Sequence, residues 1–336
     1  MPAARASGPL SAPGARRRMI VVLTVLGILS ALFAAGLLAY GNPMPIGTDG
    51  FWRIAKLRVT TVVVLAIVAV AQATATVAFQ TVTGNRIVTP SIMGFEALYV
   101  AVQTTAVYVL GVAGVTALRG PVQFLLQVAI MVGLAVALYG WLLTGRYANL
   151  QVMLLIGIVI GGGLGAIATF MQRLLTPSEF DVLTAKLFGS VANADPAVLP
   201  IAIPLVVLAA VALWLGSRRL NVMALGTDAA TSLGLNHRRT LIGVLCLVAV
   251  LIAASTALVG PMVFLGFLVA TLAYQFADTY DHRHVFPVAV LTAFTILTGA
   301  YFLMRNVFQA VGAVSIIIEL IGGSIFLVVI LRKGRL

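Results

Sequence analysis

The stretch LGTDAATSLGLNHRRTLIGVLCLVAVLIAASTAL (residues 225–258) joins two segments of opposite character. Residues 225–239 are rich in small polar residues and glycine and end in basic side chains. Residues 240–258 form an almost unbroken apolar run, and about 20 such residues are enough for a helix to cross a bilayer. The stretch therefore predicts a membrane-spanning helix that is preceded by a short polar segment in water.

The composition of the whole chain indicates the same environment. Of its 336 residues, 61% are hydrophobic and only 9% are charged, whereas about a quarter of a soluble domain is charged. So few charged side chains cannot cover the surface of a soluble protein of this length. Because no stretch alternates with the period of a membrane β-strand, the sequence predicts an all-α polytopic membrane protein.

Apolar runs recur along the chain and are separated by short polar segments. We place about ten transmembrane helices, near residues 19–40, 59–80, 91–113, 121–144, 150–174, 197–216, 240–258, 261–275, 285–303 and 312–331. Residues 1–18, rich in proline, alanine and arginine, predict a disordered cytoplasmic tail, and residues 19–336 predict a single transmembrane domain. Residues 176–194 predict a short amphiphilic helix at the membrane surface.

The basic residues set the predicted orientation. The net charge of +12 arises in the gaps between apolar runs, which indicates membrane topology rather than nucleic-acid binding. With the N-terminus inside, two thirds of the 21 Lys and Arg residues fall on the interior side. The positive-inside rule therefore predicts that both termini lie in the cytoplasm, and it places residues 225–240 on the same side.

The polar segment before the seventh span has the features of a short helix. Thr227 or Asp228 would cap its N-terminus, and Gly234 suits the left-handed position after its C-terminus. Its small apolar face consists of Leu225, Ala229 and Leu233. Two turns of helix are not stable alone in water. The segment is therefore either a structured loop between two spans or a helix that inserts into a groove of another protein.

The chain lacks the residues for several kinds of chemistry. Its three lysines, Lys56, Lys186 and Lys333, do not occur in a Gly-Lys-Ser/Thr context, so the chain has no Walker A motif. The single Cys246 and the scattered histidines give no metal-binding pattern. The glycine-rich run at residues 157–170 lies inside an apolar span, which predicts helix packing rather than dinucleotide binding. We expect neither a bound cofactor nor an enzymatic activity in this chain.

Four blocks of sequence, in order, resemble the permeases of ABC importers for iron–siderophore complexes and cobalamin. The polar segment is similar to their cytoplasmic coupling segment through its Leu-Gly pairs at 225–226 and 233–234. The other matching positions are Gln80, Asn85, Pro90 and Gly94, then Gly260, Pro261 and Gly266, then Gly322 and Gly323. Residues 85–98 are most similar to the catecholate or petrobactin-type branch of that family.

The resemblance implies a function and a set of partners. The chain would be the permease subunit that translocates ferric–siderophore complexes across the cytoplasmic membrane of a bacterium. A separate ATPase subunit, which holds ATP and Mg²⁺, would dock on a coupling segment at residues 217–239, and a second permease copy or a sister permease would complete the path. The coupling contacts would come from Leu225, Gly226, Thr227, Ala229, Leu233 and Gly234. An extracytoplasmic siderophore-binding protein would dock on Arg58, Lys56 and Arg305.

Two carboxylates within apolar runs keep other functions open. Glu96 and Glu319 lie where an ionised group is costly, so each is either a functional group or a helix contact satisfied by hydrogen bonds. A secondary transporter driven by an ion gradient would use such residues as a relay. Cobalamin or haem would be the substrate if the chain served another branch of the same family.

Overall fold

A computed structural model describes residues 10, 14–118, 120–144, 150–191, 194–308 and 314–333 of the chain. Thirteen α-helices and no strand occur in this described part. The helices are α1 (Ala15–Ala39), α2 (Asp49–Thr83), α3 (Phe95–Ala117), α4 (Pro121–Thr144), α5 (Leu150–Gln172), α6 (Pro177–Leu187), α7 (Leu199–Leu215), α8 (Ser217–Met223), α9 (Thr227–Ser232), α10 (His237–Val259), α11 (Leu265–Ala277), α12 (His282–Asn306) and α13 (Val314–Lys333). Short 3₁₀-helices at Ser91–Met93 and Pro196–Val198 precede α3 and α7.

Among the described residues, eight helices are long and apolar enough to cross a membrane, namely α1 to α5, α7, α10 and α12. Two further apolar helices are shorter: α11 has 13 residues, and α13 is apolar over Val314–Val328. These helices confirm the all-α membrane class, while the count of ten spans stays a prediction. The eighth apolar run is helical only from Leu265, because Gly260 and Pro261 interrupt the helix before it.

Three helices form the centre of the molecule. The apolar stretches of α2, α10 and α12 are 78%, 67% and 56% buried inside the protein, whereas those of the other long helices are 28% buried or less. α2 packs against α7, α10, α11 and α12. Core side chains such as Val64, Ala71 and Val248 are small or β-branched, and small side chains let membrane helices approach closely. The outer helices present apolar faces that lipid would cover.

Side-chain contacts identify two opposite ends of the bundle. Arg18 at the start of α1 pairs with Asp278 before α12, with 2.7 Å between their charged groups. Tyr40 after α1 and Phe302 near the end of α12 have ring centroids 5.5 Å apart. α1 and α12 therefore run in the same direction. We call the end with Arg18 and Asp278 the coupling end, and the end with Tyr40 and Phe302 the opposite end.

Two helices begin earlier than the sequence indicates. Most of the tail expected at residues 1–18 lies outside the described residues, but its end is helical because α1 begins at Ala15. α2 begins at Asp49, well before the predicted start of its span. The Thr48 hydroxyl caps α2 by accepting a hydrogen bond from the Phe51 N–H at 3.3 Å. The membrane helix therefore continues into the polar region that precedes the apolar run.

α6 is the helix expected between the fifth and sixth spans, and one side of it packs against α3. A capping box starts it, since the Glu179 carboxylate accepts hydrogen bonds from the N–H and the hydroxyl of Thr176 at 2.9 and 2.8 Å. Leu183 is fully buried against α3, and the Tyr99 hydroxyl donates to the Lys186 carbonyl at 3.1 Å. The C-terminal end of α6 therefore reaches into the bundle alongside α3.

Candidate functional site

α9 is a short helix between α8 and α10 at the coupling end. The Gly226 N–H donates to the Met223 carbonyl of α8 at 3.1 Å. Gly226 has φ 97° and is the N-cap residue, with no side-chain capping bond. The prediction that Thr227 or Asp228 caps the helix is wrong, because the left-handed backbone at Gly226 already ends the preceding turn and Thr227 is the first helical residue. Gly234 has φ 81° just beyond the helix, which confirms its predicted position.

The α9 segment exposes two leucines. Ala230 is fully buried, and α8 and α10 are the helices that pack against α9. Leu225 and Leu233, at the two ends of α9, remain 64% and 65% exposed, and Ala229 between them is half-buried. Large apolar side chains exposed to water gain free energy when another protein covers them. This arrangement favours a helix that docks on a partner over a plain connecting loop.

The matched positions between α2 and α3 build a tight connection. The Gln80 side chain donates to the Arg86 carbonyl at 2.6 Å, and the Asn85 N–H donates to the Gln80 carbonyl at 3.2 Å. The Asn85 side chain accepts the Ile87 N–H at 2.9 Å. Pro90 then precedes the 3₁₀-helix that leads into α3. Gln80 and Asn85 thus fix the path of the backbone between two helices.

Gly94 lies where the start of α3 touches α5. It has φ 99°, and a Cβ added to Gly161 of α5 would come within 2.9 Å of the Gly94 Cα. A Cβ on Gly157 would lie 3.0 Å from the Met93 carbonyl oxygen. The glycine-rich run is therefore part of an α-helix and lets two backbones approach. The predicted helix packing is thus confirmed at Gly157 and Gly161.

The irregular backbone between α10 and α11 packs against the end of α6 and the residues that follow it. Gly260 ends α10 with φ 91°, and the position of a Cβ there lies 3.1 Å from the Lys186 carbonyl oxygen. Pro261 presents its carbonyl to Gly189. The backbones of two irregular segments therefore cross at this point, where side chains would not fit.

The remaining matched glycines lie at contacts of α11 and α13. Gly266 packs against Thr76 of α2, which places α11 directly on the core. Gly322 and Gly323 of α13 lie against Phe264, just before α11. Gly260, Gly266, Gly322 and Gly323 are thus packing positions around the short α11.

Glu96 and Glu319 lie near each other at the junction of α3, the loop before α11, and α13. Glu96 is buried, and its carboxylate accepts hydrogen bonds from the Ser91 hydroxyl and the Met262 N–H. Glu319 is half-buried and close enough to Glu96 for their charges to interact. The structure thus brings together two carboxylates that are far apart in sequence, and Glu96 makes the bonds of a helix contact.

Arg58 is buried at the opposite end. Its guanidinium donates to the carbonyls of Tyr40 at 2.8 Å and Gly41 at 3.1 Å, with longer contacts of 3.4 Å to Leu37 and Leu38. A cation that bonds the last carbonyls of a helix stabilises its C-terminus. The side chain is only 9% exposed, so this arrangement does not support the predicted role of Arg58 as a surface docking residue.

Exposed cations surround Arg58. Lys56 and Arg305, the other two predicted docking residues, are exposed, and so is Arg53 on the preceding turn of α2. Arg305 lies close enough to Arg58 for their charges to interact. The opposite end therefore presents three exposed positive side chains, and the buried Arg58 of the same end bonds the backbone that follows α1.

A polar cluster between α3 and α4 has no signal in the sequence. The Gln103 side chain donates to Gln127 at 2.6 Å, and both residues are more than nine-tenths buried. They line a cavity of about 90 Å³ together with Tyr99, Lys186 and Asp195. A single glutamine in an apolar run does not show which helix it faces, so the pairing becomes evident only once α3 and α4 are packed.

Comparisons of sequence and structure relate these features to known proteins. A sequence profile described as the FecCD transport family matches residues 17–332. The chain is 52% identical over 322 residues to the petrobactin import system permease protein FatC of Bacillus anthracis, which covers 96% of this chain and 91% of that protein. It is 34% identical over 278 residues to the petrobactin import system permease protein YclO of Bacillus subtilis, covering 83% and 88%.

The fold is similar to that of a solved structure. A metal-chelate type ABC transporter in an inward-facing conformation superposes with a TM-score of 0.79 over 94% of this chain and 99% of that chain, at 22% identity. At this identity the similarity concerns the fold alone. The family profile, in contrast, covers nearly the whole sequence, including the coupling segment and the matched glycines. The chain therefore belongs to the FecCD transport family.

Proposed function

We propose that the chain is the membrane permease subunit of an ABC importer for ferric–siderophore complexes. The observation that carries this proposal is α9, a short helix that exposes Leu225 and Leu233 at the coupling end. A separate ATPase subunit would cover these leucines. Because the sequence has no Walker A motif, the energy of ATP has to reach the chain through such a contact.

Petrobactin, or a related catecholate-type siderophore, is the proposed substrate. Two relatives are petrobactin import permeases, and one of them shares half of its residues with this chain over almost the full length. Related permeases with different substrates keep the same fold, so this inference rests on the high identity and not on the architecture.

The proposed orientation places the coupling end in the cytoplasm of a bacterium, with ten spans and both termini inside. Arg16, Arg17 and Arg18 begin α1 at the coupling end, and Arg238 and Arg239 begin α10 beside α9, as the positive-inside rule expects. A binding protein would then dock outside. The chain itself would hold no cofactor, since ATP and Mg²⁺ would be bound by the partner.

The docking surface for the binding protein would consist of the exposed cations at the opposite end. Lys56, Arg305 and Arg53 are exposed there, whereas Arg58 is buried and bonds the carbonyls at the end of α1. Charges at an interface mainly accelerate the encounter and set its register. An acidic patch on the binding protein would complement this surface.

Transport would follow from a rigid-body change. Two ATPase subunits that close on ATP would displace α9, and α8 would pass this displacement to the central helices. A second permease copy or a sister permease would form the other half of the path, and the path would open alternately to each side. No covalent chemistry is required of this chain.

Uptake measurements in cells with and without the gene test the proposal. The panel should contain ferric petrobactin, a hydroxamate siderophore, cobalamin and haem, each measured after ATP depletion and, separately, after an uncoupler. We expect loss of ferric petrobactin uptake that depends on ATP. Unchanged uptake of every compound, in a strain without a second permease system, would overturn the proposal.

The nearness of Glu96 and Glu319 favours a second candidate, a transporter driven by an ion gradient. In that case uptake would survive ATP depletion and fail with the uncoupler, and Glu319→Gln would abolish it. In an ATP-driven importer the same variant keeps ATP-dependent uptake. The two energy sources therefore distinguish the candidates in one experiment.

A further inference from the structure

A single side chain bonds α8 to the start of α12. The Asn221 amide nitrogen donates to the Asp281 carboxylate at 2.9 Å. Its carbonyl oxygen accepts the His282 backbone N–H at 3.0 Å and lies 2.6 Å from His282 Nδ1. Asn221 therefore makes three contacts with two consecutive residues at the N-terminus of α12. Such a set fixes the position and the rotation of α8 against α12.

His282 extends this contact to α2. Its Nε2 lies 2.6 Å from the Thr81 hydroxyl oxygen, and the residue is only 3% exposed. Because the Asn221 oxygen can only accept, Nδ1 carries the ring proton. In a neutral ring, Nε2 is an acceptor, and it shares the single proton of the Thr81 hydroxyl with the Val77 carbonyl, which lies 2.8 Å from the same oxygen. Each ring nitrogen thus contacts a different helix.

These residues lie between α9 and the centre of the molecule. α9 packs on α8, and α8 packs on α2, α7 and α12. α2 and α12 are two of the three most buried spans. A displacement that begins at α9 has to pass through contacts of this kind to reach the core, since coupling between distant sites travels through contiguous packed and hydrogen-bonded groups.

We propose that Thr81, Asn221, Asp281 and His282 form a clamp that makes α8, the start of α12 and the end of α2 move as one body. The clamp would transmit a displacement of α9 to the core helices. Its members are positioning residues, since they act through their bonds to one another. This inference rests on the proposed function, because it assigns the step that links the ATPase to the path.

The clamp is tested by the ratio of substrate molecules transported to ATP molecules hydrolysed. This ratio is measured in the complete importer, reconstituted in liposomes with its ATPase and binding protein. Asn221→Leu removes all three contacts of Asn221. Thr81→Val removes the contact with His282, together with the bond of the Thr81 hydroxyl to the Val77 carbonyl of its own helix and its contact with Tyr274 of α11. Thr83→Val is the matched control, because the Thr83 hydroxyl bonds only to carbonyls of its own helix and Thr83 is as buried as Thr81.

We expect the clamp variants to hydrolyse ATP but to transport less substrate for each ATP. The ratio should fall on the order of 3- to 30-fold in Asn221→Leu and less in Thr81→Val, the range found for residues along a coupling network. Thr83→Val should keep the ratio of the unmodified importer. Equal ratios in Thr81→Val and Thr83→Val, or a normal ratio in Asn221→Leu, would overturn the clamp.

A distance measurement between α9 and α12 tests the clamp in the absence of substrate. Spin labels at Ser232→Cys in α9 and Arg283→Cys in α12, in a Cys246→Ser background, report how rigidly the two helices are joined. With the clamp intact we expect a narrow distance distribution, and in Thr81→Val and Asn221→Leu a broader one. The same width in all variants would refute the clamp. If the importer takes up no ferric siderophore, the proposed function fails while this measurement still stands.

Discussion

The Arg58 guanidinium of α2 donates to the Tyr40 carbonyl at 2.8 Å, so a side chain of the second helix closes the C-terminal end of the first. The last turn of an α-helix leaves carbonyls without partners in the helix itself. Arg58 satisfies several of them at once and joins α1 to the more deeply buried α2. The peripheral α1 is thereby fixed to the core at the opposite end.

Replacement of Arg58 should therefore reduce stability rather than docking alone. We expect Arg58→Ala to cost about 2–4 kcal/mol, because the carbonyls at the end of α1 lose their charged hydrogen-bond donor. Arg53→Ala, at an exposed position of the same helix, should change the free energy of unfolding by less than about 0.5 kcal/mol. Thermal unfolding of the purified permease in detergent measures both. A normal melting temperature in Arg58→Ala, together with weak binding-protein docking, would restore the docking role.

The exposed cations should control the rate of binding-protein association. We expect the double variant Lys56→Glu and Arg305→Glu to slow association about tenfold or more at low salt. The difference should shrink at high salt, where exposed charges are screened. Arg17→Glu at the coupling end is the control and should leave the rate unchanged. Rates that are independent of salt would show that another surface binds the carrier.

The leucines beside α9 should determine whether the ATPase stays bound. Leu225→Asp and Leu233→Asp should abolish co-purification of the ATPase subunit, because burial of a leucine contributes about 1.5–3 kcal/mol and a carboxylate in its place opposes burial. Both residues are exposed in this chain, so the melting temperature of the permease alone should not change. Retention of the ATPase by both variants would move the contact away from α9.

Two glycines of α5 should respond to alanine in opposite directions. Gly161→Ala places a Cβ 2.9 Å from the Gly94 Cα and should destabilise the protein by about 1–3 kcal/mol through overpacking. Gly163→Ala meets no atom within 4 Å and should stabilise the helix by about 0.5–1 kcal/mol. Unfolding of the two variants in detergent gives the signs. Equal effects would mean that α3 and α5 are not in contact through Gly94.

The Asp281 carboxylate should make stability depend on acid pH. Burial opposes its ionised form, but bonds from Asn221 and the Arg283 N–H and the charges of His284 and Arg283 lower the pKa of Asp281 below its ordinary value. A lowered pKa in the folded state stabilises the protein above about pH 4 and loses that contribution as pH falls through the folded pKa. Between pH 7 and about pH 2.5, the melting temperature of Asp281→Asn should therefore fall less than that of the unmodified chain. An identical loss would exclude this contribution.

The apolar spans were predictable from the sequence because each consists of about 20 consecutive apolar residues, a local property. The starts of α1 and α2 were not, since arginines in α1 and the Thr48 cap extend the helices into polar segments. The cap of α9 was misassigned because Thr227 and Asp228 are favourable capping types, whereas the backbone angle of Gly226 decides where that helix begins.

The roles of individual polar side chains depended on which helices meet. In the sequence, Arg58 is a basic residue at the edge of an apolar run, as expected of a cation at the membrane interface. Only the packing of α1 on α2 shows that it bonds the Tyr40 and Gly41 carbonyls. Glu96 and Glu319 were identifiable as carboxylates within apolar runs. That they lie near each other is evident only from the packing of α3, the loop before α11 and α13. The clamp residue Asn221 is an ordinary polar residue until α8 is placed beside α12.

The brevity of α11 has a consequence for how the chain enters its membrane. Thirteen residues rise about 20 Å, which is roughly 10 Å less than the hydrocarbon thickness of a bilayer. On the proposed ten-span topology, irregular backbone around Gly260 and Pro261 would supply the missing length. Its neighbours are the Lys186 and Phe188 carbonyls and Gly189. That backbone is tolerated in lipid only after protein surrounds it. We therefore expect the insertion machinery to release α11 into the bilayer together with α10 and α12, so that assembly of this region is completed late in synthesis.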